Sequence, residues 1–169
     1  MIRSEICAVA ELAVPTFNSH RRNGNLPFSV ASYHEMPDHD GRTWARFTVF
    51  DAALLIAAKK LTAQGVSWSK ACEILRSKPV GTGGRVGLAN PGISAARTEL
   101  RSGDSQVWQG PIARIVEVSE RWAARKGSDV ISIVSVNVSA CISIAIERMD
   151  RLDIEVNEES LRLDPDAEK

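Results

Sequence analysis

Four absences bound what this chain can be. Its apolar residues never run for the roughly 18 positions that a membrane-spanning helix needs. The most apolar stretch, Val130 to Ile146, is broken by Ser132, Ser135, Asn137, Ser139 and Ser143, and so reads as a buried strand followed by a helix. Arg3 and Glu5 interrupt the N-terminal residues and leave no apolar signal core, so secretion is not expected and a cytoplasmic location is. Cysteine is scarce: Cys7, Cys72 and Cys141 are odd in number, far apart and set among apolar neighbours, with no Cys-x-x-Cys. That pattern predicts free core thiols in a reducing compartment, not disulfides. Net charge is also lacking, with 21 Lys/Arg against 21 Asp/Glu, which taken alone argues against a nucleic-acid partner.

Chemistry-bearing motifs are equally thin. His20, His34 and His39 stand near no serine or cysteine in a nucleophile context, and no carboxylate pair suggests acid–base work, so no enzyme is expected. His34-Glu35-Met36-Pro37-Asp38-His39-Asp40-Gly41 matches no zinc or calcium ligand spacing and reads as a polar turn. The run Val80-Gly81-Thr82-Gly83-Gly84-Arg85-Val86-Gly87 lacks the Gly-Lys-Ser/Thr of a phosphate-binding loop. With Asn90-Pro91-Gly92 it marks residues 79–104 as a linker or long loop. No metal and no cofactor is expected.

The zero net charge conceals an asymmetry. Residues 1–80 carry ten Lys/Arg against seven Asp/Glu, residues 81–150 eight against seven, and residues 151–169 three against seven. A mildly basic head is thus offset by an acidic tail, expected to fray past Leu163. A head with so small an excess would grip a nucleic acid through a few placed arginines and through two copies of itself.

Within that head, Ile6, Val9, Ala10 and Leu12 recur at helical spacing behind Ser4, a candidate cap. A turn at Ala13-Val14-Pro15 follows, with proline suited to a first helical turn. A second helix then runs to about Asn23, where Gly24 can accept the left-handed conformation. Phe17 is expected to point inward, leaving Thr16, Asn18, Ser19, Arg21 and Arg22 outward, residue types that read base edges and hold phosphates. Alternation sets Arg42, Trp44 and Arg46 on one face of a short strand, for which Phe28 to Tyr33 is the expected partner. Thr48 with Asp51 forms a variant capping box for a helix to about Gln64, closed by Gly65, and Ser67 caps a further helix to about Ser77.

The order and spacing of these pieces resemble the DNA-binding head of the MerR family and the related excisionase-like winged helices. The matching elements are Gly24-Asn25-Leu26-Pro27, Arg46-Phe47-Thr48, the helix holding Asp51 to Leu61, and Gly65-Val66-Ser67. The resemblance covers residues 8–77 and implies a winged helix-turn-helix over residues 1–78. It also implies double-stranded DNA as partner, base and phosphate contacts from Thr16, Asn18, Ser19, Arg21 and Arg22, and contacts from the wing by Arg42, Trp44 and Arg46. The turn lacks the glycine the family has there, and no heptads long enough for that family's coiled coil follow.

Residues 105–152 read as a β-α-β-α module: a strand over Ser105 to Gln109, then a helix over Ile112 to Lys126 with Ile115, Val118 and Trp122 on one face. A strand over Val130 to Val136 and a helix capped by Asn137 or Ser139 complete it. The expected whole is an α+β protein in which a winged helix-turn-helix precedes a dimerisation or sensing module, with residues 153–169 as an acidic tail. Its expected work is that of a nucleoid-associated, homodimeric transcription regulator on an inverted repeat, touching RNA polymerase or a recombinase. An excisionase-like architectural factor and a protein-interaction module on the same scaffold are the alternatives.

Overall fold

A computed structural model of the chain describes residues 1–28, 35–37, 43–76 and 93–155, with side chains left out at 35–37, 43 and 44. The fold is α+β, with six helices, a two-stranded ribbon and a three-stranded antiparallel sheet among the described residues. None of those helices is long and apolar enough to cross a membrane. The chain divides into two compact units, Met1–Ile56 with Cys141–Lys169, and Ala57–Ala140. The boundary expected near residue 78, the glycine-rich run and the tail beyond residue 155 lie outside the described residues.

In the first unit, α1 spans Arg3–Val9. Its first turn is capped from within, the Glu5 carboxylate accepting the Ile2 N–H at 2.7 Å. Ser4 is therefore a helical, exposed residue and not the cap expected of it. Helix α2 spans Val14–Arg22, with Pro15 in its first turn and Gly24 at φ +65° beyond its end, as its sequence implied. The turn between them is Ala10 to Ala13, earlier than the expected Ala13-Val14-Pro15, because α1 closes at Val9. Glu11 N–H donates to the Ala8 carbonyl and Leu12 N–H to that of Cys7, the paired bonds of a Schellman closure.

The ribbon pairs β1, Glu35–Pro37, antiparallel with β2, Thr43–Ala45. The expected partner over Phe28 to Tyr33 is thus displaced: Phe28 is buried, and the pairing begins inside the stretch read as the polar tip. Beyond β2, Phe47 and Met1 exchange both backbone bonds, Met1 N donating to Phe47 O at 2.8 Å and Phe47 N to Met1 O at 2.7 Å. Helix α3, Val49–Ala63, opens on the anticipated box: Thr48 N–H donates to Asp51 Oδ2 at 2.8 Å and Asp51 N–H to Thr48 Oγ1 at 3.1 Å. Helix α6, Val138–Arg151, buries Cys141, Ala145 and Met149 at a spacing of four, one stripe along its length.

In the second unit, α4 spans Trp68–Arg76 and buries Ala71, Ile74 and Leu75 as its periodicity implied. The stretch expected to be linker or loop instead contains β3, Ile93–Leu100. This is the central strand, in the order β4-β3-β5 with β4 at Ser105–Pro111 and β5 at Val130–Asn137. Both neighbours run antiparallel to β3, so β4 and β5 are parallel with β3 between them, joined through α5, Ile112–Lys126. The module is therefore a split β-α-β preceded by β3, one strand more than the β-α-β-α expected. Registers Ala96↔Trp108 and Thr98↔Ile133 set those four residues on the α5 face, where Ala96, Trp108 and Ile115 form a core flanked by Val118, Trp122 and Ile133. Asn137 Oδ1 accepts the Ala140 N–H at 2.9 Å and caps α6; Ser139, the other candidate cap, instead accepts the Ile93 N–H on its Oγ at 3.1 Å.

Two substitutions test this packing. Phe17→Ala removes the only side chain that α2 buries completely and should lower unfolding free energy by about 3–5 kcal/mol in urea titration. Thr98 and Ser119, both fully buried, share one hydroxyl–hydroxyl bond at 2.7 Å. Ser119→Ala strands the Thr98 hydroxyl and should cost about 1–3 kcal/mol, whereas adding Thr98→Val should recover most of the loss; a double variant as unstable as the single one contradicts the pairing.

Candidate nucleic-acid interface

Helix α2 is held by one residue. Phe17 is fully buried and meets the Phe47 ring edge-on at 5.6 Å between centroids, while Phe28 also meets Phe47, at 6.2 Å. Helical geometry then decides where the remaining side chains go. Thr16, Ser19 and Arg22 are exposed, and Asn18 is half-buried. Arg21 lies one turn after Phe17, on the flank of the buried face, and is half-buried rather than fully outward.

Asn18 sits between two arginines. Arg22 Nε approaches the Asn18 carbonyl at 3.4 Å, and Arg3 Nη1 approaches Asn18 Oδ1 at 3.4 Å. Arg3 is an addition to the expected set: it stands alone in the sequence, and only the packing of α1 beside α2 brings it to Asn18. The Met1–Phe47 bonds tie the start of α1 to the chain after β2, so Arg3 and the exposed Arg46 each lie within two residues of that bridge. Trp44 occupies the β2 position opposite Met36, and Arg42 lies outside the described residues. Of the expected set, the structure thus gathers Thr16, Asn18, Ser19 and Arg22 on the open side of α2, keeps Arg21 at its flank, and places Arg46 on the segment that Phe47 anchors.

Three acids nearby, among the described residues, are engaged internally. Glu5 takes the Ile2 N–H, Asp51 is buried in its capping box, and Glu11 pairs with Arg148 at 3.0 Å. Helix α2 itself carries no acid, and His20, Arg21 and Arg22 fill its last turn, where cations are favoured by the helix dipole. Among the described residues, Arg21 and Arg46 have no side-chain hydrogen bond or ion pair, which leaves them available to an anion. An open groove of about 660 Å³ on α6 has the opposite character, with Glu147, Asp150, Asp153 and Glu155 along it, and would repel phosphate.

Thiol chemistry is not offered here. Cys7, Cys72 and Cys141 are buried and unbridged; burial pushes the Cys72 thiol up to about 11 and raises Cys7 too, away from the reactive thiolate. No cluster of three His, Cys, Asp or Glu that could hold a metal occurs among the described residues. Comparison of the chain with protein-family models and with curated proteins finds no match.

Burial lowers His20 below its ordinary value near 6.5. The unfolded chain then binds more protons than the folded one just below that value, so stability rises with pH through this window and is lost on acidification. The thermal midpoint should therefore fall between about pH 7 and pH 5, and less steeply in His20→Gln. Equal slopes in the two proteins would remove His20 from the account.

Proposed function

We propose that this chain is a sequence-specific double-stranded-DNA-binding protein, a transcription regulator that uses α1 and α2 as a helix-turn-helix and the β1–β2 ribbon as its wing. The observation that carries the reading is the seating of α2: one aromatic residue buried inward, and Thr16, Asn18, Ser19 and Arg22 on the side left open, with no acid among them. Such a helix presents donors and acceptors to a major groove, and Arg3 and Arg46 beside it suit the flanking phosphates. The half-buried Arg21 fits a phosphate contact at the groove wall better than a bidentate base contact, which needs a fully extended guanidinium. One head has few cations, so a homodimer on an inverted repeat, with each head in one half-site, would raise both affinity and specificity.

Selection from a pooled duplex library with the purified full chain tests this directly. An enriched inverted repeat, lost when Arg21 and Arg22 are both changed to Ala, is the expected outcome. Each phosphate contact removed should also flatten the dependence of log K on log salt by about one. No enriched motif with the wild-type chain, or enrichment indifferent to the two arginines, would overturn the reading.

A further inference from the structure

Five helices among the described residues close with a residue in the left-handed region, and three of these positions are glycine: Gly24 after α2 at φ +65°, Gly65 after α3 at φ +88° and Gly127 after α5 at φ +60°. Glycine is expected there because it has no Cβ to crowd the preceding carbonyl. Asp153 after α6, at φ +54°, departs from the pattern, and so does the turn between α1 and α2, with Glu11 at φ +50°. This is the turn that sets the direction of α2, and a non-glycine residue in that conformation is strained.

The strained residue has a partner from far along the chain. Arg148, on α6, donates from Nη1 to the Val9 carbonyl at 2.9 Å and pairs through Nη2 with Glu11 Oε1 at 3.0 Å. Val9 is the last residue of α1, and its carbonyl belongs to the set that a helix end leaves without an intrahelical donor. One planar guanidinium thus satisfies the helix end and holds the strained side chain next to it. A lysine, with a single point of attachment, has no such fork. Arg148 is three-quarters buried, and its neighbour Met149 is fully buried, so the side chain approaches the turn from a fixed base.

We propose that Arg148 is a positioning residue for α2: it clamps the Ala10 to Ala13 turn from α6 and so makes the orientation of the DNA-reading helix depend on α6. The inference rests on the DNA-binding reading above for its functional half, while the clamp itself has a readout that needs no DNA. Without Arg148 the turn spreads over conformations of which only a fraction aim α2 correctly, and apparent affinity falls by that fraction. Glutamate at position 11 is then a liability that glycine would remove. The two residues are coupled: the clamp is needed because of Glu11.

The experiment uses the full chain as wild type, Arg148→Ala, Glu11→Gly and the double variant. Amide hydrogen exchange at Glu11, Leu12 and Phe17 reports the turn, and affinity for the selected duplex reports the groove. In Arg148→Ala these amides should exchange faster and affinity should fall by about tenfold at unchanged salt slope, since no phosphate contact is lost. Adding Glu11→Gly should restore both toward wild type. Wild-type exchange and affinity in Arg148→Ala would overturn the clamp. A salt slope reduced by about one would make Arg148 a phosphate contact instead. Failure of Glu11→Gly to rescue would reduce Arg148 to general support of the fold. If Arg148→Ala does not fold, Arg148→Lys carries the test with a smaller loss in the same direction, and no loss there counts against the proposal. If the wild-type chain selects no duplex, the functional reading fails by itself, and the exchange measurements alone decide whether Arg148 holds the turn.

Discussion

Phe47 is the residue on which the head depends. Its ring contacts both Phe17 and Phe28, and its backbone is bonded in both directions to Met1. These contacts fix three things at once: the rotation of α2 about its own axis, the path of the chain leaving that helix, and the point where β2 gives way to α3. Edge-to-face aromatic pairs contribute about 0.5–1.5 kcal/mol beyond the area they bury, and they also have a preferred angle. That angular preference matters here because α2 buries no second side chain completely. A nine-residue helix is too short to persist alone. Its form and its facing both come from this one contact and from the turn before it.

The sheet unit solves a different problem. Its central strand, β3, is nearly all buried yet made largely of small residues: Ser94, Ala95, Ala96 and Thr98 among Ile93 and Leu100. Small side chains let helices approach both faces closely. On one face α5 reaches Thr98 through Ser119; on the other, the Gln109 amide of β4 donates to the Leu75 carbonyl at the end of α4 at 3.2 Å. Bulk comes from the flanks, where Trp108 and Trp122 meet edge-on at 6.1 Å between centroids. Among the described residues the buried Trp108 indole N–H has no acceptor, and Trp108 contributes to this core through contact area.

That distribution explains what could and could not be read from the residues. Helices α3 and α5 were legible because each carries its own signals: a Thr48–Asp51 box and a terminal Gly65 in one, an amphipathic face ending at Gly127 in the other. Phe17 was legible for the same reason, as the lone aromatic in a polar helix. Strand β3 was not, since Ser94, Ala95 and Ala96 lack the β-branched, alternating look of a strand, and it follows directly on a glycine-rich run. What makes it a strand is pairing on both sides, which no local window contains. The shift of the ribbon partner to Glu35–Pro37 has a similar origin: burial of Phe28 beside Phe47 removes it from the pairing that its neighbours suggested.

The candidate interface was legible by residue type but not by arrangement. Exposure of Thr16, Ser19 and Arg22 follows from helical period once Phe17 is known to face inward. Arg3 at Asn18, the flank position of Arg21 and the reach of Arg148 to Val9 all need tertiary contacts between segments far apart in sequence. Net charge alone says little about this face. Equal numbers of acids and bases suggest a surface indifferent to polyanions, but a carboxylate spent on a helix cap or a turn no longer projects the field of a free one. Glu5, Glu11 and Asp51 are all used in this way near α2, while Arg21 and Arg46 make no side-chain hydrogen bond or ion pair among the described residues. A neutral chain can therefore keep cations available beside α2 where the neighbouring described acids are already engaged, even though Arg148 is itself spent on the turn.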